Sequence, residues 1–128
     1  MKVRVIPTET FFPHMAQGIA ASDDIIKQKP EMIRKFVRAA LRGMKDIMDN
    51  PDKAAEEFVS FVPEWKGPKE KGVHYAFDMY AKSVYPGQKV LGEMNADRLA
   101  KLQDFYLQKG FIQKATPVNE LYTNEFVK

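Results

Sequence analysis

The side chains of this sequence that could do chemistry are few and scattered. His14 and His74 are the two histidines, and neither has an acid or a second imidazole at a spacing that completes a metal site or a proton relay. Glu56 and Glu57 are adjacent, so on a helix they point to different sides and make a poor general acid and base pair. There is no cysteine to act as nucleophile or thiolate ligand, and no glycine pattern of a phosphate cradle, a dinucleotide site or a serine nucleophile elbow occurs. Read this way, the chain has no catalytic residue, no metal site and no cofactor, and is not an enzyme.

Binding is better served. In Thr8, Glu9, Thr10, Phe11 and Phe12, followed by Pro13, two neighbouring aromatics stand beside hydroxyls and a carboxylate. Such a set suits stacking and hydrogen bonding to a small planar or anionic solute. The competing reading is that Phe11 and Phe12 plug the core or an oligomer interface. Arg34, Arg38, Arg42 and Lys45, joined by Lys35, form a cationic stripe opposite an apolar helix face. A solvated face with Glu31 supporting Lys35 explains it, as does a surface for phosphates or acidic headgroups. The aromatic platforms that nucleic-acid readers add are on the buried side, so no nucleic acid is expected. Trp65 and Tyr85 fit either anchors or contacts.

The elements that must position these residues follow from spacing and caps. Val3, Val5 and Ile6 alternate with charges and predict a short strand ended by Pro7, and Gly18–Ala21 predicts a second. Ser22 precedes a short helical turn over Asp23 to Gln28. Pro30 starts a long helix whose Met32, Ile33, Phe36, Val37, Ala40, Leu41, Met44, Ile47 and Met48 define a face that must be buried. Asn50-Pro51 closes it and starts another helix, running to Val62 before Pro63. Glu64 to Gly72 reads as a loop, then a helix reaches Val84, and Tyr85-Pro86-Gly87-Gln88 turns the chain. Asn95 caps a helix that ends at Gly110, and Thr116-Pro117 opens a last short helix carrying Leu121, Tyr122 and Phe126.

The sequence holds 128 residues, 45% apolar and 29% charged, with 20 Lys and Arg against 17 Asp and Glu. These values describe one ordinary globular domain, 1–128, with a mildly basic surface. No apolar run is long enough for a secretory leader or a membrane helix, so the product is cytoplasmic if Met1 is the native start.

Several motifs stand in a fixed order: Gly18-Ile19-Ala20-Ala21-Ser22, Lys29-Pro30-Glu31, Phe36-Val37-Arg38-Ala39 with Gly43, and Asn50-Pro51 with Ala54-Ala55. Tyr85-Pro86-Gly87-Gln88, Gly110-Phe111-Ile112 and Thr116-Pro117-Val118 with Leu121-Tyr122-Thr123 continue the order. In this order the chain resembles the C-terminal portion of the substrate-binding proteins of ABC importers, in the branch that handles nitrate, sulfonates, taurine and thiamine-precursor pyrimidines. The resemblance implies part of a two-lobed, type II periplasmic-binding-protein-like α/β fold, here mainly α with a short two-strand N-terminal element. It also implies a small-molecule solute, a membrane permease as partner, a location outside the inner membrane, and the Thr8 to Pro13 loop lining the cleft or hinge. Because two strands alone are marginal, the chain is expected to pair or swap its N-terminal strands with a second copy. The alternative is a small dimeric helical module that holds a macromolecule through its basic helix face.

Overall fold

The computed structural model describes Arg4, Ile6 and residues 17–128. Among these residues the chain is mainly helical and contains no strand. The strand expected at Gly18–Ala21 is exposed irregular backbone, and the one expected at Val3–Ile6 lies outside the described residues except for Arg4 and Ile6, neither of them in a strand. A strand persists only when its backbone groups are paired, and no sheet exists among the described residues to pair them. Self-association through N-terminal strands therefore loses its support.

The helices fall into two compact units, Asp23–Glu93 with Phe126–Lys128, and Met1–Ser22 with Met94–Glu125. In the first, α1 (Asp23–Gln28) opens on Asp23 and Asp24, acids that favour a helix N-terminus. Helix α2 (Pro30–Asp49) starts at the proline, whose missing N–H costs nothing there. Asn50 then serves two helices. Its backbone N–H donates to the Asp46 carbonyl at 3.0 Å, and its side-chain oxygen accepts from the Lys53 N–H at 3.0 Å, capping α3 (Pro51–Phe61).

Helices α3 and α4 (Glu70–Met79) enclose Ala55, Val59 and Val73, which retain 0%, 4% and 4% of their exposure. Phe58 and Phe77 close that cluster with ring centroids 5.6 Å apart, and His74 Nδ1 meets Asp52 Oδ1 at 2.8 Å on its solvent side. The expected loop from Glu64 to Gly72 is instead two 3₁₀ turns, Pro63–Trp65 and Gly67–Lys69, followed directly by α4. Burial of Val73 outweighs the helix cost of Gly72. A second cluster gathers Ile33 and Val37 of α2 with Phe126, backed by Ile25, Ile26, Leu41 and Val127. Phe126 is not in a helix: the last segment forms only a 3₁₀ turn at Val118–Glu120, and Phe126 packs beyond it.

Full burial of the α2 apolar face does not hold. Ile33 and Val37 are buried, whereas Met32 keeps 51% and Phe36 61% of its exposure. Tyr80–Val84 continues α4 as a π-helical turn, and the return loop brings Gly92, at φ 82°, against the Leu41 side chain. In the second unit Asn95 Oδ1 accepts from the Arg98 N–H at 2.9 Å and caps α5 (Ala96–Gln108), and Gly110, φ 72°, turns the chain just beyond the helix end.

Asn50→Ala should lower stability by about 1 kcal/mol through the lost cap. Gly92→Ala combines left-handed strain with overpacking on Leu41 and should cost roughly 2–4 kcal/mol. Urea denaturation with an unchanged slope checks both.

Candidate functional site

Thr8, Glu9, Thr10, Phe11 and Phe12 lie outside the described residues, as does His14. The site that can be built atom by atom is a groove in the unit formed around α5. Leu99, Leu102 and Tyr106 recur at three- and four-residue steps and share one side of that helix. The chain after Gly110 returns along them, adding Ile112, Lys114, Thr116 and Leu121, and encloses an open, largely apolar cavity of about 270 Å³. That volume is near the lower end of small-molecule pockets, which start at about 300 Å³.

Two amide side chains hold the return segment. Gln103 Nε2 donates to the Thr116 carbonyl at 3.0 Å while its Oε1 accepts from the Thr116 N–H at 2.8 Å. Asn124 does the same for Met94: its Oδ1 accepts from the Met94 N–H at 2.9 Å and its Nδ2 donates to the Met94 carbonyl at 3.1 Å. A side-chain amide carries a donor and an acceptor side by side, so it can hold the N–H and the C=O of a single residue at once, which fixes the register of an irregular segment without a strand. Tyr106 stands edge-on to Phe111, 5.8 Å between centroids, and 6.0 Å from Phe105, over which Lys109 Nζ sits at 5.9 Å. Of the groove's residues only Lys114 is charged, so the cavity suits an apolar group with an anionic or polar end at its rim.

In the other unit, the π-helical turn brings Tyr80 and Tyr85 into a near-parallel stack, 5.4 Å and 9°. Burial, and secondarily the Tyr80 phenol, push the Tyr85 hydroxyl above the usual tyrosine range. The Tyr85 carbonyl accepts from Gln88 Nε2 at 3.2 Å, and Gln88 Oε1 accepts from the Gly92 N–H at 2.8 Å, locking the Tyr85-Pro86-Gly87-Gln88 turn. Trp65 is a half-exposed anchor, edge-on to Phe58 at 6.5 Å with Lys69 Nζ 5.9 Å above its ring.

The cationic stripe is not uniform. Glu31 pairs with Arg34 at 3.5 Å rather than with Lys35, and Arg34 also sits 5.3 Å over Phe126. Lys45 pairs with Asp49 at 2.5 Å. Among the described residues no group of three His, Asp or Glu side chains is placed to hold a metal ion, and no helix is long and apolar enough to cross a membrane. The amide clamps, the tyrosine stack and the His74–Asp52 contact escape sequence reading: the first and last join residues 13 to 30 apart, and the stack depends on a π-turn.

Gln103→Leu keeps the volume but strips both Thr116 bonds, so stability should fall by about 1–3 kcal/mol and the Thr116 amide should exchange faster with solvent. Because the fold favours the neutral Tyr85 phenol, that contribution is complete below the ordinary range near about 10 and is lost as pH rises through Tyr85's own titration. Ultraviolet phenolate titration should show a component ionising above the ordinary tyrosine range, abolished by Tyr85→Phe.

Residues 1–54 match the family described as NMT1/THI5 like. The chain is also 32% identical, over 99% of its length, to the riboflavin-binding protein RibY of Chloroflexus aurantiacus, of which it spans 37%. No solved structure matches it significantly. The relative's name describes binding rather than catalysis. Both matches agree with the resemblance carried by the ordered motifs: through nearly all of its length, this chain is related to part of a substrate-binding protein.

Proposed function

We propose that the chain is a portion of the solute-binding component of an ABC importer, a non-enzymatic module that captures a small solute outside the inner membrane for a membrane permease. The observation that carries the reading is the identity of 32% to a riboflavin-binding protein along 99% of the chain. By analogy with that relative's ligand, the solute is a planar heteroaromatic compound rather than a sulfonate or nitrate. Residues 1–128 act together as one part of a two-lobed protein that closes on its ligand.

Thr8, Glu9, Thr10, Phe11 and Phe12 are the contacts we assign. The two phenyl rings stack on the planar solute, while the hydroxyls and the Glu9 carboxylate bond its polar edge. Helix α2 serves as scaffold. The α5 groove, with its apolar lining and single Lys114, suits a ligand with an aliphatic body better than one with a polar heteroaromatic edge.

Riboflavin titration followed by flavin fluorescence tests this reading. Saturable quenching is expected, weakened roughly ten-fold by Phe11→Ala or Phe12→Ala and unchanged by Tyr106→Ala. Loss on Tyr106→Ala alone would move the site to the α5 groove. Absence of quenching would refute a flavin-like solute.

A further inference from the structure

Helix α2 presents to solvent an arc that does not belong to its core face. Met32, Phe36, Ala39 and Gly43 follow at steps of four, three and four residues and make one apolar ridge; Phe36 keeps 61% and Met32 51% of its exposure, and the two small residues are exposed as well. Lys35, Arg38 and Arg42 run beside this ridge at steps of three and four, all exposed. Intrahelical acids neutralise the stripe at its ends, Glu31 with Arg34 and Asp49 with Lys45. Lys35, Arg38 and Arg42 form no ion pair with any described residue, and the one acid on the arc in the same condition is Asp46.

We propose that this arc docks α2 on an anionic lipid surface, with Phe36 and Met32 entering the headgroup boundary while Lys35, Arg38 and Arg42 meet lipid phosphates. At 3.6 residues per turn the exposed arc covers about half of the helix circumference, so the contact face is convex and broad. A partner helix needs a defined register of knobs and holes, whereas a sheet of phosphates satisfies cations at any register. Two protruding apolar side chains beside three unopposed cations is the mixture that holds an interfacial helix in the headgroup region. A second copy of the chain fits poorly, because its own Lys35, Arg38 and Arg42 would face the same cations. The inference is independent of solute capture.

Co-sedimentation of the full chain with vesicles of phosphatidylglycerol and phosphatidylcholine, against phosphatidylcholine alone, tests it. Binding is expected only to the anionic vesicles, and weaker at about 1 M salt, where the screening length falls to about 3 Å. Each of Lys35→Gln, Arg38→Gln and Arg42→Gln should lower the partition coefficient about five-fold, and Phe36→Ser should lower it further. Asp46→Asn should raise it, a gain that no unfolded variant would produce. Equal binding to neutral vesicles, or anionic binding unchanged in the Arg38→Gln, Arg42→Gln double variant, would overturn the proposal. So would failure to bind vesicles combined with a dimer in light scattering that Phe36→Ser dissolves, which would assign the ridge to a second copy.

Discussion

Helix α2 carries more apolar surface than its unit covers, and much of the molecule's behaviour follows from how that excess is divided. One side is satisfied by Phe126, Ile25, Ile26 and Val127, which bury Ile33 and Val37. Each such aliphatic side chain contributes roughly 1.5–3 kcal/mol when removed from water, enough to hold a short C-terminal segment that has no regular structure of its own. The other side, Met32 and Phe36, stays in solvent. A helix in this state is both a core element and a surface available for contact.

Small residues decide how closely the remaining elements approach. Ala55, fully buried, lets α3 lie against α4, and the aromatic pair Phe58 and Phe77 fills the margin of that contact. Gly92 plays the corresponding part for the loop at Leu41. In the unit around α5 the same task falls to hydrogen bonds, because the segment from Ile112 to Leu121 has no strand or long helix to order it. Gln103 and Asn124 each hold both backbone groups of one residue, Thr116 and Met94, and the Gln103 clamp fixes Thr116 in the lining of the α5 groove.

Helix boundaries were the most legible feature of the sequence, because their causes are local. Pro30, Asn50 with Pro51, and Asn95 with the late Gly110 place α2, α3 and α5 where the structure has them. What depended on distant partners was not legible. The apolar run Gly18–Ala21 read as a strand but has no ladder among the described residues, and Phe126, assigned to a helix opened by Thr116-Pro117, is placed instead by burial on α2. Gly67, Pro68 and Gly72 read as a loop, yet Val73 draws Gly72 into α4. The candidate ligand contacts from Thr8 to Phe12 were legible as composition alone, since two aromatics beside hydroxyls state a chemistry without a geometry. The ordered motifs carried further than any of these, because order along the chain survives where single motifs are common.

Solute capture is the centre of the account, and native mass spectrometry of the purified protein, sprayed gently and then after denaturation, addresses it most directly. The account predicts a population carrying one small molecule, released on denaturation, with a mass and absorbance in the range of a planar heterocycle. A protein that stays ligand-free when sprayed from excess riboflavin and related heterocycles would contradict it.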